Sequence, residues 1–168
     1  LQKLVGEQYM QIFTALYGLA TVTIRYFNVF GPTQDPSSPY SGVISIFARA
    51  LLENTPPTIH GDGEQTRDFT YIANVVDGVL RAVKAPGASG QVVNVATGSS
   101  ISLNRLFASM RDILGSRLEV TYGPVRSGDV KDSLADITRA RALLGYEPLV
   151  SFEEGLKKTI DWYRSRSS

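Results

Sequence analysis

The spacing of hydrophobic residues along the chain alternates between the period of a helix and the short apolar runs typical of strands. Apolar residues three and four positions apart predict a helix that ends at Gly18 and further helices over residues 42–53, 73–85, 102–114, 136–144 and 151–165. Shorter apolar runs predict strands over residues 20–26, 58–60, 69–72, 91–96 and 118–122. Helices that alternate with short strands indicate either an α+β fold or the α/β C-terminal lobe of a larger fold.

Polar residues at the predicted helix starts refine these boundaries. Ser102 is a capping residue for the helix that follows it, and Ser151 with Glu154 forms a capping box. Ala73 cannot cap the helix that begins there, so we expect Asn74 to cap it one position later. The buried face of that helix is expected to consist of Val75, Val76, Val79, Leu80 and Val83.

Composition and charge exclude several classes of function. The chain has 168 residues, enough for one domain with a hydrophobic core. Its formal net charge of +1 gives no electrostatic reason to expect nucleic acid or a membrane surface as a partner. The single His60 cannot support a histidine-based metal site, and no apolar run approaches membrane-spanning length. The absence of cysteine excludes disulfides and agrees with the cytoplasmic location that we expect.

The first residues of the chain are unusual for a complete protein. The chain opens at Leu1 without a methionine and enters a helical pattern directly. This indicates a fragment of a longer protein, and the alternative is a short reading frame whose first residues have been trimmed. Residues 1–168 contain no internal repeat, low-complexity tract or clear domain boundary, so we expect a single unit.

Three runs place polar residues in turns beside predicted strands: RYFNVFGP at residues 25–32, GDGEQTRDF at 61–69 and RSGDV at 126–130. In the first run a strand ends at a Gly-Pro breaker and delivers Asn28 to a loop. Loops at the carboxyl ends of strands form the ligand crevice of open α/β sheets, but an Asn before such a breaker is also a common turn residue.

Together these runs resemble the C-terminal half of the extended short-chain dehydrogenase/reductase family, in particular its NAD-dependent nucleotide-sugar 4-epimerases. The resemblance covers residues 3–162 and implies an α/β fold, namely the C-terminal part of a Rossmann-type protein with a mixed α+β substrate-binding lobe. Residues 1–168 would be the substrate-binding portion, with the NAD-binding Rossmann portion absent. No Gly-rich dinucleotide fingerprint occurs in the sequence, so we expect this chain to be inactive alone.

The resemblance implies catalytic and cofactor-binding roles for two residues. In the family, a Tyr and a Lys four positions apart share one helix face. There the Lys lowers the pKa of the Tyr, whose phenolate removes a proton while hydride passes to NAD. Lys3 matches that Lys, and the Tyr would lie before residue 1. Phe27 matches the residue beside the nicotinamide. The alternatives are a solvated Lys for Lys3 and a strand-end aromatic for Phe27.

The resemblance also implies a clamp for the diphosphate of a UDP-sugar. A diphosphate suits permanently charged, forked donors, and guanidinium groups provide them. Arg67 and Arg126 match the two Arg residues that grip the diphosphate in similar enzymes, and Asp129 matches the acceptor for a ribose hydroxyl. A lone Arg is more often a solvated surface charge, but here both Arg residues lie next to Gly-containing turns.

Further substrate contacts are implied around this clamp. Asn28 would bind the sugar nucleotide, and Val43, at a helix start over residues 40–43, would contact the uridine diphosphate. His60 would lie on the uracil side, with a purely structural role as the alternative. In similar epimerases a bulky aromatic residue at the position of Ser133 restricts the site to plain hexoses, whereas a small residue leaves room for an N-acetyl group. Ser133 therefore favours a UDP-N-acetylhexosamine over UDP-glucose.

The first helix is also a candidate for subunit contact. In similar enzymes the helix that corresponds to it forms a homodimer, and the alternative is that its apolar residues only fill a core. These residues include Leu4, Met10, Phe13 and Tyr17. Two rival functions stay open: a dehydratase, decarboxylase or reductase of a nucleotide sugar on the same scaffold, or a non-catalytic sugar-nucleotide-binding or oligomerisation domain.

Overall fold

The computed structural model describes residues 1–35 and 42–166, and it confirms the alternation of helices with short strands. The helices are α1 (Gln2–Tyr17), α2 (Val43–Leu52), α3 (Ile72–Lys84), α4 (Leu103–Leu114), α5 (Thr138–Leu144) and α6 (Phe152–Arg164), with a short 3-10 helix at Pro86–Ala88. The strands are β1 (Val22–Tyr26), β2 (Asn28–Phe30), β3 (Thr58–His60), β4 (Thr66–Arg67), β5 (Phe69–Tyr71), β6 (Gln91–Val95), β7 (Ile101–Ser102) and β8 (Thr121–Gly123).

β1 and β2 form almost one strand, which changes partner at Phe27. β1 pairs in parallel with β6, and Tyr26 lies opposite Val95. β2 pairs in parallel with β5, and Asn28 lies opposite Phe69. Because the strand leaves one neighbour for another within two residues, this point resembles the switch points at which open α/β sheets bind ligands.

The other two ladders bring the second and third sequence motifs side by side. β3 pairs in parallel with β8, and β4 pairs antiparallel with β7. The N–H of Thr66 in β4 donates to the Lys131 carbonyl at 2.8 Å, and the N–H of Ser133 donates to the Thr66 carbonyl at 3.2 Å. Two segments that are about sixty residues apart in the sequence therefore share one wall.

The main core lies between α2, α4, α6 and the β2–β5 ladder. Phe30 packs edge-on against Phe69 and Phe152, with ring centroids 6.4 and 6.0 Å apart. A second cluster packs α3 and α5 against β6. The side chains with at most 1% exposure in the main core are Ile44, Phe47, Ala48, Ile59, Leu106, Met110, Leu156 and Ile160. The apolar helix faces that the sequence pattern predicts for α2, α4 and α6 account for most of this core.

Both predicted serine caps are present. Ser102 Oγ accepts a hydrogen bond from the N–H of Arg105 at 3.3 Å, and Ser151 Oγ accepts one from the N–H of Glu154 at 3.2 Å. The Glu154 carboxylate pairs with Lys158 Nζ at 2.7 Å, one turn further along α6. The Ser151 side chain therefore makes its bond of the predicted capping box, whereas the Glu154 carboxylate pairs with Lys158 instead.

The predicted cap at Asn74 is wrong. α3 begins at Ile72, and Asn74 is fully buried inside its first turn. Its Oδ1 accepts hydrogen bonds from the N–H groups of Leu149 and Val150 at 2.8 and 2.9 Å, and its Nδ2 donates to the Val150 carbonyl at 2.8 Å. Asn74 therefore fixes the segment before α6, and a partner 75 residues away leaves no local sequence signal.

The predicted buried face of α3 is only partly correct. Val75 is 7% exposed, whereas Val76, Leu80 and Val83 are 49%, 54% and 81% exposed. Val83 lines a groove of about 620 Å³ between α3 and β1. Within the described ranges β1 pairs with β6 only, so no further strand or helix covers these side chains.

α1 lies against β1 with none of its residues buried. Tyr9, Leu16 and Tyr17 are 55%, 70% and 72% exposed, so the alternative in which these apolar residues fill the core of this chain is wrong. The helix ends at Gly18, which adopts φ 67°, as the sequence predicts. In the part of the chain that the structure describes, no helix combines the length and apolar character needed to cross a membrane.

Replacing Tyr146 with phenylalanine is expected to destabilise the second cluster by about 1.5 kcal/mol at neutral pH, because the Ala96 carbonyl loses its donor. The Tyr146 hydroxyl donates to that carbonyl at 2.9 Å, and the side chain is fully buried. Burial, and then the nearby Asp68 carboxylate, raise the pKa of Tyr146 from 10.0 to about 12.

A raised pKa means that the native state favours the neutral phenol. Its contribution is complete below the unfolded-state pKa of 10.0 and is lost as the pH rises through about 12. Urea unfolding of Tyr146→Phe and the unchanged protein should therefore show a gap that narrows as the solution becomes strongly alkaline. A gap that stays constant with pH contradicts this account.

Candidate functional site

The strand exchange places Asn28 at the bend between β1 and β2. The N–H of Val29 donates to the Phe27 carbonyl at 2.9 Å, which makes a tight turn around Asn28. The backbone N–H and the Nδ2 of Asn28 both donate to the Asp68 carbonyl, at 3.1 and 3.3 Å. Phe27 is half-buried and packs against the small cluster that contains Ala96. The turn therefore presents an amide side chain at a defined position.

Asn28 lines a cavity of about 260 Å³ beside the β4 and β3 strands. The wall is apolar on the side of α2, where Ile46 and Phe47 contribute, and polar on the opposite side. Two guanidinium groups and one carboxylate line it, so the net charge of its lining is positive. The predicted site residues that the structure brings together here are Asn28, Val43, His60, Arg67, Arg126 and Asp129.

Arg67 is paired inside this cavity. Its Nη2 lies 2.5 Å from Asp129 Oδ1, and its Nη1 donates to the Thr66 carbonyl at 2.7 Å and to the Lys131 carbonyl at 3.3 Å. The Arg67 side chain is 15% exposed and that of Asp129 is 39% exposed. One guanidinium edge is therefore held by the protein, while the carboxylate that neutralises it reaches solvent.

Arg126 is presented by a turn and carries an uncompensated charge. The N–H of Asp129 donates to the Arg126 carbonyl at 3.3 Å, and Gly128 adopts φ 82°. A positive φ at the third position of a turn suits glycine, which explains the Gly in this motif. Within residues 1–35 and 42–166, the Arg126 guanidinium has neither a hydrogen-bond nor an ion-pair partner, so all its donors are available to a ligand.

His60 lies at the junction of this cavity and a larger neighbouring one of about 670 Å³. Its Nδ1 is 3.2 Å from the Pro124 carbonyl, and its own carbonyl accepts a hydrogen bond from Gln65 Nε2 at 2.6 Å. Gln65 is 8% exposed and was not singled out by the sequence reasoning. The imidazole is thus held by the β3–β8 segment and still lines both cavities.

α2 begins at the cavity wall. Gly42 is its N-cap residue, and its carbonyl accepts the N–H groups of Ser45 and Ile46 at 3.1 and 3.3 Å, so among the described residues only the N–H groups of Val43 and Ile44 have no backbone partner in the first turn. The Ser45 hydroxyl donates back to the Gly42 carbonyl at 2.7 Å and closes this turn. The predicted contacts at residues 40–41 lie outside the described residues.

Lys3 is exposed on the first turn of α1, away from the lining of the cavity. α1 and β1 run antiparallel, with Thr14 Oγ1 2.7 Å from Thr21 Oγ1 and Glu7 Oε1 2.7 Å from Arg25 Nη2. The hydrogen bond from Arg25 lowers the pKa of Glu7 below its ordinary value. Continuing this alignment by one helical turn, about 6 Å, brings Lys3 level with residue 27.

Among the predicted substrate contacts that the structure describes, Ser133 is the one that does not line the cavity. It is half-buried, and its N–H bonds to the Thr66 carbonyl beside the wall. The neighbouring Asp132 accepts a hydrogen bond from the Thr66 hydroxyl at 3.0 Å. Ser133 therefore lies on the segment that supports the cavity from behind.

Asp68 is a buried residue that sequence reasoning missed, although it follows Arg67 directly. Its carboxylate accepts hydrogen bonds from the backbone or side chains of Thr70, Thr97, Gly98 and Ala135. The signal that could have revealed it is the polar pair at alternate positions 68 and 70, at the start of a segment that the sequence predicts to be a strand.

The sequence of this chain is similar to those of known proteins. Residues 1–96 match the model of the NAD dependent epimerase/dehydratase family. The UDP-glucose 4-epimerase of Mycolicibacterium smegmatis is 39% identical over 165 residues, which are 98% of this chain and 52% of that protein. The UDP-N-acetyl-alpha-D-glucosaminuronate decarboxylase of Bacillus cytotoxicus is 31% identical, over 89% of this chain and 48% of that protein.

Solved structures agree with this assignment. The UDP-N-acetylglucosamine 4-epimerase from Methanobrevibacter ruminantium M1, in complex with UDP-N-acetylmuramic acid, superposes with a TM-score of 0.93 at 42% identity. The match covers 98% of this chain and 53% of that one, so the chain spans about half the length of its relatives. The predicted α/β class of Rossmann-type epimerases is confirmed. The chain belongs to the NAD dependent epimerase/dehydratase family.

Proposed function

We propose that this chain is the substrate-binding portion of an NAD-dependent UDP-sugar 4-epimerase. The observation that carries this proposal is the 260 Å³ cavity in which Arg126, whose guanidinium has no partner among the described residues, lies beside Arg67, Asp129 and Asn28. A diphosphate fits forked cationic donors, a ribose hydroxyl fits a carboxylate, and a sugar hydroxyl fits an amide. A UDP-sugar carries these groups in one molecule.

In this proposal, each residue of the cavity contacts a different part of the UDP-sugar. Arg126 and Arg67 grip the diphosphate, and the free N–H groups at the start of α2 at Val43 add to the positive end. Asp129 turns from Arg67 to a ribose hydroxyl. His60 faces the base from the β3 side, and Asn28 meets the sugar at the strand exchange.

NAD supplies the hydride exchange in this proposal. Two residues fit its nicotinamide end: Lys3, which the alignment of α1 on β1 brings level with residue 27, and Phe27 itself, which closes the carboxyl end of β1. The role that the resemblance implies for Lys3 is to lower the pKa of a proton-transfer group on the same helix face. The sequence contains no Gly-rich dinucleotide loop, so these residues hold only one end of the cofactor, and we expect no turnover by this chain alone.

The proposed sugar is an N-acetylhexosamine. Ser133 has a small side chain on the supporting segment, and an aromatic ring at this position would crowd the wall that Thr66 forms. A solved relative at 42% identity carries UDP-N-acetylglucosamine in its name, while others are named for UDP-glucose. The proposal also includes a cytoplasmic location and a homodimer through α1, whose apolar side chains are exposed.

Two other functions compete with this proposal. The decarboxylase relative favours another reaction of a UDP-sugar on the same scaffold, which would use the same cavity and differ in residues outside it. A non-catalytic UDP-sugar-binding domain would also use this cavity. Because we expect no turnover by this chain alone, an assay of 4-epimerisation with added NAD separates catalysis from binding only in a protein that joins this chain to an NAD-binding portion.

Titration calorimetry with UDP, UDP-glucose and UDP-N-acetylglucosamine tests the proposal directly. We expect each UDP-sugar to bind, the N-acetylated one more tightly. Asn28→Ala should lower the affinity for UDP-sugars about fivefold and leave that for UDP unchanged, because it removes one neutral hydrogen bond to the sugar. Asn94→Ala is the matched control, since the Asn94 amide bonds to the Asp136 carbonyl outside the cavity. No binding of any UDP-sugar, or equal binding of sugar-free nucleotides with other bases, contradicts the proposal.

A further inference from the structure

The Asp68 carboxylate is completely buried and has no cationic partner in the described part of the chain. Its Oδ1 accepts hydrogen bonds from the N–H and hydroxyl of Thr97 at 2.9 and 2.7 Å and from the Thr70 hydroxyl at 3.3 Å. Its Oδ2 accepts from the N–H groups of Gly98 at 2.9 Å and Ala135 at 3.4 Å. A buried carboxylate is costly unless its oxygens are satisfied in this way, so its presence needs a reason.

These hydrogen bonds join three chain segments that are distant in sequence. Thr97 and Gly98 follow β6, which is the partner of β1 before the strand exchange. Ala135 ends the segment that begins at Asp129 in the cavity. The Asp68 carbonyl accepts both the N–H and the Nδ2 of Asn28, so a single residue contacts the supports of both cavity walls.

Asp68 itself does not line the cavity, because it points behind the wall that Arg67 forms. We propose that Asp68 is a positioning residue: its buried carboxylate fixes the distance between Asn28 and the Asp129 segment, so that a UDP-sugar meets its sugar contact and its ribose contact at once. This inference rests on the proposed function for the identity of the ligand. The fixed distance between Asn28 and the Asp129 segment is a property of the protein alone.

The first test measures the coupling of Asp68 with Asn28. Asp68→Asn keeps the shape but turns an NH₂ group toward N–H donors that lose their acceptor. We expect UDP-sugar affinity to fall about tenfold, and Asn28→Ala to add nothing further in that background. A residue that only stabilises the fold would act independently of Asn28, so the effects of the two substitutions on UDP-sugar affinity would multiply. That result overturns the proposal.

The second test needs no ligand. Native-state hydrogen exchange should show lower protection of the Asn28 and Ser133 amides in Asp68→Asn, with the amide of Leu106 in α4 unchanged. A uniform loss of protection would overturn positioning even if UDP-sugars bind. If the unchanged protein binds no UDP-sugar, the proposed function fails while this measurement still decides the role of Asp68.

A milder variant covers the case in which Asp68→Asn does not fold. Thr97→Val removes one hydroxyl donor to Oδ1 and retains the backbone N–H donor. Like Asp68→Asn, it should lower UDP-sugar affinity, here about threefold. It should also lower the hydrogen-exchange protection of the Asn28 amide. Protection at Asn28 that equals that of the unchanged protein would overturn the proposal.

Discussion

Replacing Arg126 with alanine is expected to weaken UDP binding about 50-fold, because a charge-assisted contact to the diphosphate contributes about 2–3 kcal/mol. Arg126 has no partner in the described ranges, so its removal leaves no protein group unsatisfied and the loss reports ligand contact alone. Arg67, in contrast, also bonds to two carbonyls and Asp129, and its removal would disturb the wall. Titration calorimetry with UDP measures the effect.

Two variants separate geometry from simple charge. Arg126→Lys keeps the charge and loses the forked donors, so we expect about a tenfold loss. Arg117→Ala removes the same charge from an exposed site outside the cavity and should change UDP affinity by less than about twofold. Equal losses for Arg117→Ala and Arg126→Ala would indicate a long-range field effect and not a contact.

Replacing Gly155 with alanine is expected to destabilise the protein by about 3 kcal/mol through overpacking. A Cβ at this position in α6 would lie 2.8 Å from the Cβ, Cγ and Cδ2 atoms of Tyr71 in β5. Tyr71 is 8% exposed and its Cβ is fixed to the backbone, so it cannot move aside without displacing the strand. Urea unfolding followed by circular dichroism measures the change.

Gly6→Ala in α1 is the matched control for this substitution. Gly6 also lies within a helix, but no atom lies within 4 Å of the Cβ position, so only helix propensity changes. We expect a gain in stability of about 0.5–1 kcal/mol. If both glycine variants shift the unfolding midpoint in the same direction by similar amounts, close packing of α6 on β5 is not the cause.

The helices and the longer strands could be predicted because their apolar spacing persists over many residues. Of the strands with two or three residues, β3 and β5 could be predicted, whereas β2, β4 and β7 could not, since each of these lies in or beside a polar run and exists only through its ladder partner. The strand predicted over residues 118–122 is displaced to Thr121–Gly123, where pairing with β3 defines its start. Short strands depend on tertiary pairing more than on local sequence.

The residues of the candidate site likewise include some that the sequence predicts and some that it does not. Motif residues such as Arg67 and Arg126 could be predicted to lie together, because a familiar order and spacing links them, and the structure places both in one cavity. Asp68 and Gln65 lie inside the same motif but act through buried hydrogen bonds to partners elsewhere in the chain. The sequence predicts burial for the whole apolar face of α3, because periodicity reveals which residues share a face. It does not reveal whether another element covers that face.

The ion pair between Arg67 and Asp129 neutralises part of the charge that lines the cavity. In the proposed function, a UDP-sugar replaces both partners of this pair, because it supplies an anion to Arg67 and a hydroxyl to Asp129. Inorganic phosphate or pyrophosphate can supply only the first, and it leaves Asp129 facing a second negative charge at close range. In the proposed function, the pair therefore favours, at Arg67 and Asp129, a ligand that offers an anion and a hydroxyl together over phosphate or pyrophosphate alone.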